Sequence, residues 1–194
     1  MSYLEKVIEE EEFVAKEIEK GDFGHKLLFI GLSQTGKSSI IKVVFEGVKP
    51  EETSKILATV SFQRKLIDFS GYSLNVYDVG GQITYLEEAF VALRESIFSH
   101  LKTLLFVIDS EKVGELNDAK NYFKRAISNV NDYSKGAKIF VLTHKIDLIP
   151  EEKREKVFKK IIDFFEIDKY DNVKAFATSI FDESIFKALE EAVI

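Results

Sequence analysis

The chain has 194 residues, enough for one domain or one domain with an extension, and its 45% hydrophobic and 31% charged residues make an ordinary globular balance. A net charge of -6 excludes nucleic-acid recognition through a general basic field, and the absence of cysteine excludes disulfides and thiolate metal sites. No apolar run approaches membrane-spanning length and the N-terminus lacks a signal peptide's apolar core, so a cytoplasmic protein without direct membrane insertion is expected.

Residues 1–24 differ in character from the rest. Leu4, Val7, Ile8, Val14 and Ile18 recur at three- and four-residue steps, and Glu5, Glu9, Glu10, Glu11, Glu12, Glu17 and Glu19 fill the remainder. That pattern predicts an acidic amphipathic helix, packed on the domain or offered to a partner, which anionic lipid would repel. Gly21-Asp22-Phe23-Gly24 ends it, and one domain is expected over 25–194.

Leu27-Leu28-Phe29-Ile30 is an apolar run fit for a buried strand. Gly31-Leu32-Ser33-Gln34-Thr35-Gly36-Lys37-Ser38 follows it, with the G-x-x-x-x-G-K-[ST] spacing of a phosphate-binding loop, and Ser39 to Phe45 continues as a helix. Glycines at this spacing let successive N–H groups of Ser33, Gln34, Thr35, Gly36 and Ser39 turn into one anion-binding concavity. The helix starting near Lys37 aims its positive end at the same place. Lys37 adds a mobile charge for the outer phosphates and Ser38 a hydroxyl able to ligate Mg²⁺.

After a polar loop over 47–54, an extended stretch is expected from Leu57 to about Phe69. Gly71-Tyr72 reads as a hairpin turn and Leu74-Asn75-Val76-Tyr77 as the return strand, giving one antiparallel pair. Residues 87–100 read as a helix. Strands at 103–108, 138–142 and 173–177 then alternate with helices at 115–130, 151–165 and 182–193. Pro150 before Glu151 and Glu152 is a strong helix start. This alternation predicts an α/β fold, a mixed six-stranded sheet with helices on both faces and binding loops at the strands' carboxyl ends.

Three further strand ends carry chemistry. Asp78 leaves a strand and can hold Mg²⁺ directly or through water, Gly81 can bring a bare N–H to a γ-phosphate, and Gln82 can orient an attacking water. In Thr143-His144-Lys145-Ile146-Asp147, the Asp147 carboxylate can accept from N1 and N2 of guanine, which adenine cannot reproduce, and the Lys145 stem can lie over the base. The short backbone turn at Thr178-Ser179-Ile180 can meet the base's O6.

Together these segments resemble the motifs of small GTPases of the Ras superfamily, and most closely the Rag/Gtr family. The likeness rests on His144 where most small GTPases have Asn, on Leu74 to Gln82, on Phe90, Arg94, Ile97 and Phe98, and on Ala177 to Ser184. It covers roughly Lys26 to Ile194, and Ser33 also fits the Rag-like branch. The resemblance implies a switch that binds GTP or GDP with Mg²⁺ and hydrolyses GTP slowly. It implies that Thr59 closes on Mg²⁺ and the γ-phosphate, with Thr53 as the rival. Regulators and effectors would bind through 47–62 and 80–98, and partners could recruit the protein to a membrane. Rag proteins carry a roadblock-type domain after the GTPase domain, through which they form heterodimers. This sequence ends at Ile194, so a dimer stays open. A nucleotide-bound scaffold that does not hydrolyse, and a different P-loop ATPase, are the alternative readings.

Overall fold

The computed structural model describes residues 24–193; the acidic N-terminal helix expected over 1–24 falls, but for Gly24, outside them. Long apolar runs form the centre. Strand β1 (His25–Ile30) lies between β3 (Tyr72–Val79) and β4 (Leu101–Asp109), parallel to both. Strands β5 (Lys138–His144) and β6 (Val173–Thr178) continue the parallel order outward. Strand β2 (Phe62–Phe69) pairs antiparallel with β3, from Phe62↔Val79 to Phe69↔Tyr72, and makes the other edge. The order is β2-β3-β1-β4-β5-β6, the mixed six-stranded sheet with one antiparallel edge strand that the sequence predicts.

The faces of the sheet are covered differently. Helix α1 (Lys37–Glu46) and the C-terminal helix (Ser184–Val193) pack on one face, through Ile40, Ile41 and Val44 and through Ile185, Ala188, Leu189 and Ala192. The segment 83–98 and the helices Leu116–Tyr133 and Glu151–Phe165 pack on the other. There Phe123 is fully buried, with ring centroids 5.2 Å from Phe106 and 5.5 Å from Phe165. Burial of this many apolar side chains on both faces is the main term holding the sheet rigid beneath its loops.

Two segments depart from the sequence reading, both beside the site. The extended run over 57–69 enters the sheet only at Phe62. Ser61 adopts a left-handed φ of 55°, and its carbonyl accepts from the N–H of Gly80 at 2.7 Å, which closes the ladder there. Residues 57–60 are left as a loop. The helix read over 87–100 begins earlier and is broken: α2 (Ile83–Glu87), a π turn over Glu88–Ala92, and α3 (Arg94–Phe98). An i→i+5 turn inserts one extra residue per turn and rotates the following helix. That rotation lets Phe90, Leu93, Ile97 and Phe98 all reach the same core.

Candidate functional site

The loops at the carboxyl ends of β1, β3 and β5 enclose a cleft of about 470 Å³. Ser33, Gln34, Gly36, Lys37, Ser38 and Ser39 floor it, 53–54 and 56–59 form one wall, and Val79, Gly81, Gln82 and Lys145 complete it. Gln34 and Gly36 take left-handed φ angles of 63° and 98°, so the backbone doubles back before α1 starts at Lys37. The first N–H groups of that helix have no partner within it and face the cleft. A side chain on Gly36 would stand 2.6 Å from His144 Cδ2, so this turn needs glycine for space as well as conformation.

Lys37 is buried, and its Nζ donates to the carbonyls of Gly31 and Leu32, each at 2.9 Å. Burial pushes its ammonium down to about 8, against the raising effect of the nearby Asp78 charge. Ser38 Oγ and Thr59 Oγ1 both donate to Asp78 Oδ2, at 2.5 and 3.0 Å, and lie 3.0 Å from each other. Asp78 Oδ1 is buried with no hydrogen-bond partner among the described residues. Thr59, carried on the loop before β2, therefore meets the phosphate loop and β3 at one point. Thr53 turns back to the carbonyl of Pro50 at 2.7 Å, although it lines the outer wall of the cleft.

Gly81 lies against the phosphate loop itself. A Cβ there would stand 2.4 Å from Leu32 C and O and 2.5 Å from Ser33 N. Gln82 follows in extended backbone, exposed at the cleft edge, and its carbonyl starts α2 by accepting from Leu86 N–H at 3.0 Å. The two loops thus converge on the floor from opposite sides.

The loops after β5 and β6 are tied more tightly. His144 is buried, with its ring against Gly36 and its Nδ1 3.0 Å from Thr178 Oγ1. Lys145 has a left-handed φ of 60°, and its Nζ reaches back to the carbonyl of Gln34 at 2.7 Å. Asp147 is half-buried, and its carboxylate accepts no hydrogen bond from the described residues. Its loop is held from behind by Arg154, which donates to the carbonyls of Asp147 (3.2 Å) and Ile149 (2.9 Å). Ser179 is buried, its N–H bound to Ser184 Oγ at 2.9 Å and its Oγ accepting from Phe181 N–H at 3.0 Å, while Ile180 packs against the core.

Burial lowers the His144 pKa from 6.5 to about 4, with Asp147 opposing the shift. The unfolded chain therefore takes up this proton near pH 6.5 and the folded chain only near 4. Stability is unaffected above that window and falls as pH drops through it, by about 3 kcal/mol in total. Urea denaturation of wild type and His144→Asn at pH 7 and pH 4.5 checks this: the wild type should lose more stability on acidification. Equal losses would remove His144 as the cause.

Two participants went unmarked in the sequence reading, Asp109 and Ser110, and the contact of Thr178 with His144 was not foreseen. Asp109 ends β4, buried, and its Oδ2 accepts from Lys145 Nζ at 2.7 Å. Ser110 donates through N–H and Oγ to the carbonyl of His144, at 3.0 and 2.7 Å. The available signal was the one that marked Asp78, a carboxylate leaving a buried apolar run.

Residues 26–194 match the family model of the Gtr1/RagA G protein conserved region. The chain belongs to this family. Its relatives include the GTP-binding protein GTR1 of Saccharomyces cerevisiae, 35% identical over 173 residues that make up 87% of this chain and 56% of that protein. The Ras-related GTP-binding protein A of Dictyostelium discoideum is 35% identical over 170 residues, again 87% and 56% of the two chains. The Ras-related GTP-binding protein C of Mus musculus is 27% identical over 175 residues, 87% and 43%. The chain thus spans about half the length of the curated relatives it matches. Among solved structures, the Arl6 BBS3 small GTPase of Trypanosoma brucei, with bound nucleotide analogue GppNp, superposes with a TM-score of 0.69. The match covers 87% of this chain and 94% of that one at 16% identity, a likeness of fold. The cleft therefore lies at the G-x-x-x-x-G-K-S loop of a G domain of this family.

Proposed function

We propose that this G domain is a guanine-nucleotide switch that binds Mg-GTP, hydrolyses it slowly to GDP, and presents different loop surfaces in the two states. The observation that carries this reading is the convergence of Thr59 and Gly81, from separate loops, on the phosphate loop. Groups at those two positions contact a terminal phosphate only when it is present, so its loss would release both loops.

The oxygens of Ser38, Thr59 and Asp78, one of them a buried carboxylate oxygen without a partner among the described residues, suit a hard cation such as Mg²⁺. No group of three His, Cys, Asp or Glu exists among the described residues, in keeping with an ion that takes its remaining ligands from phosphates and water. When bound, the ion would neutralise charge on the β- and γ-phosphate oxygens. Lys37 and the loop N–H groups would do the same from the protein side, and Gln82 would orient the attacking water. Lys145 and Asp147 would hold the base.

The cations lining the cleft are Lys37 and Lys145, and Leu57, two residues before Thr59, is exposed. Without an arginine among the lining residues, intrinsic turnover is expected on the order of 10⁻⁴ per second, with a partner supplying acceleration. Leu57, Val60, Ile83 and Val91 expose apolar surface on the two loops and helix where such partners would dock. No helix among the described residues is long and apolar enough to cross a membrane, and any membrane contact is assigned to partners.

The test is identification of the co-purifying nucleotide, followed by single-turnover hydrolysis of bound GTP. Guanine nucleotide with slow turnover, lowered further by Gln82→Leu, supports the proposal. Turnover near one per second, or ATP bound as tightly as GTP, would refute it. Turnover indifferent to Gln82→Leu would point to a non-hydrolysing scaffold.

A further inference from the structure

Lys145 Nζ is held at two points. It donates to the carbonyl of Gln34 in the phosphate loop and to Asp109 Oδ2 at the end of β4, both at 2.7 Å. The Asp109 side chain is only 3% exposed, and both its oxygens are used, Oδ1 accepting the N–H of Glu111 at 3.0 Å. The carboxylate is therefore fixed in direction by its own backbone and cannot swing away from the ammonium. Gln34 and Lys145 both sit in left-handed backbone, and a single ammonium bridges the two loops that carry them. Strand β4 brings the third loop: Asp109 pairs with His144 in the sheet register, and Ser110 is bonded to the His144 carbonyl. Further along the same loop, Lys112 Nζ reaches Gln34 Oε1 at 3.3 Å.

We propose that Asp109 is a positioning residue for the nucleotide, acting through Lys145. By holding the ammonium at the phosphate loop, it stretches the Lys145 alkyl chain across the gap between the base loop and the phosphate loop, where that chain serves as one wall of the nucleotide site. This rests on the guanine-nucleotide reading above. A charge-assisted bond from a buried carboxylate is the stronger of the two anchors, because an unpaired Asp109 would keep its desolvation cost without its partner. The wall does not touch the terminal phosphate, so its loss should weaken GDP and GTP retention alike.

The test uses the full chain carrying Asp109→Asn, Lys145→Met and the double change, with dissociation of fluorescent GDP and of a non-hydrolysable GTP analogue as readout. Asp109→Asn should speed both dissociations about tenfold. In the Lys145→Met background the same change should add little, since the group it positions is gone. A purely structural role would instead show as an equal factor in both backgrounds and a lowered melting temperature, and either that result or an unchanged rate in Asp109→Asn overturns the proposal. A second measurement needs no change at Asp109. In the nucleotide-bound wild type, the slowly exchanging lysine ammonium NMR signals, which include the buried Lys37 and Lys26, should contain one more that is absent from Lys145→Met; a set of signals unchanged by Lys145→Met also overturns the proposal. A wild type that retains no guanine nucleotide overturns the switch reading and this inference together. One that retains it with dissociation unaltered by Asp109→Asn overturns this inference alone.

Discussion

Asp147→Asn is expected to lower the affinity for GDP and GTP by about 100-fold or more, because hydrogen bonds to a charged group contribute about 1.5–3 kcal/mol each and two are affected. The half-buried carboxylate accepts nothing from the described residues, so both its oxygens are available to a ligand. Guanine offers two adjacent donors, at N1 and the exocyclic amine, that a carboxylate matches. The amide of asparagine keeps one acceptor and turns a donor toward a donor, which is worse than losing the bond. The loop itself should keep its shape, since Arg154 holds it through the carbonyls of Asp147 and Ile149, not through the carboxylate. Competition against fluorescent GDP measures the loss. A purine with a carbonyl at C2 should recover part of it, because that carbonyl accepts from the new amide. Affinity for GDP unchanged by the substitution would mean that Asp147 does not read the base.

The sheet was legible because its signals are local. Largely apolar runs of four to six residues marked β1, β4, β5 and β6, and Pro150 with two glutamates after it marked the start of the helix Glu151–Phe165. The failures came where long-range geometry overrode local preference. Leu57-Ala58-Thr59-Val60 has the composition of a strand, but its neighbour β3 has already ended at Val79, so no ladder partner exists for it. The π turn at Glu88–Ala92 has no composition of its own; it exists because the core positions on either side require a rotation. The phosphate-loop, Gly81 and Asp147 positions were visible because each is a short motif at a strand end. Asp109 was not, nor was the contact that Thr178 makes with His144, because the partners lie 36 and 34 residues away in sequence and no spacing rule connects them.

Gly81→Ala is expected to separate the two nucleotide states. The obstacle is space, not conformation: the added carbon would stand 2.4 Å from Leu32 C and O and 2.5 Å from Ser33 N, all backbone atoms of the phosphate loop. Those atoms are held from below, since the Leu32 carbonyl accepts from Lys37 Nζ and from Thr35 Oγ1, so the floor cannot yield cheaply. The Gly81 loop must therefore move outward, carrying Gln82 with it. A displacement of about 1 Å at a positioning group costs on the order of 100-fold in rate, and that factor is expected for GTP hydrolysis. GDP makes no demand on Gly81, so its affinity should stay within about threefold, a change too small to reflect a lost charge-assisted bond. The preference for a GTP analogue over GDP should shift toward GDP. Gly36→Ala makes the contrast, since its added carbon meets the His144 ring in the floor of the site and should weaken both nucleotides equally. Single-turnover hydrolysis and paired affinities for GDP and the analogue distinguish the two variants. If Gly81→Ala lowers GDP and analogue affinity by the same factor, Gly81 belongs to the fixed floor and does not sense the terminal phosphate.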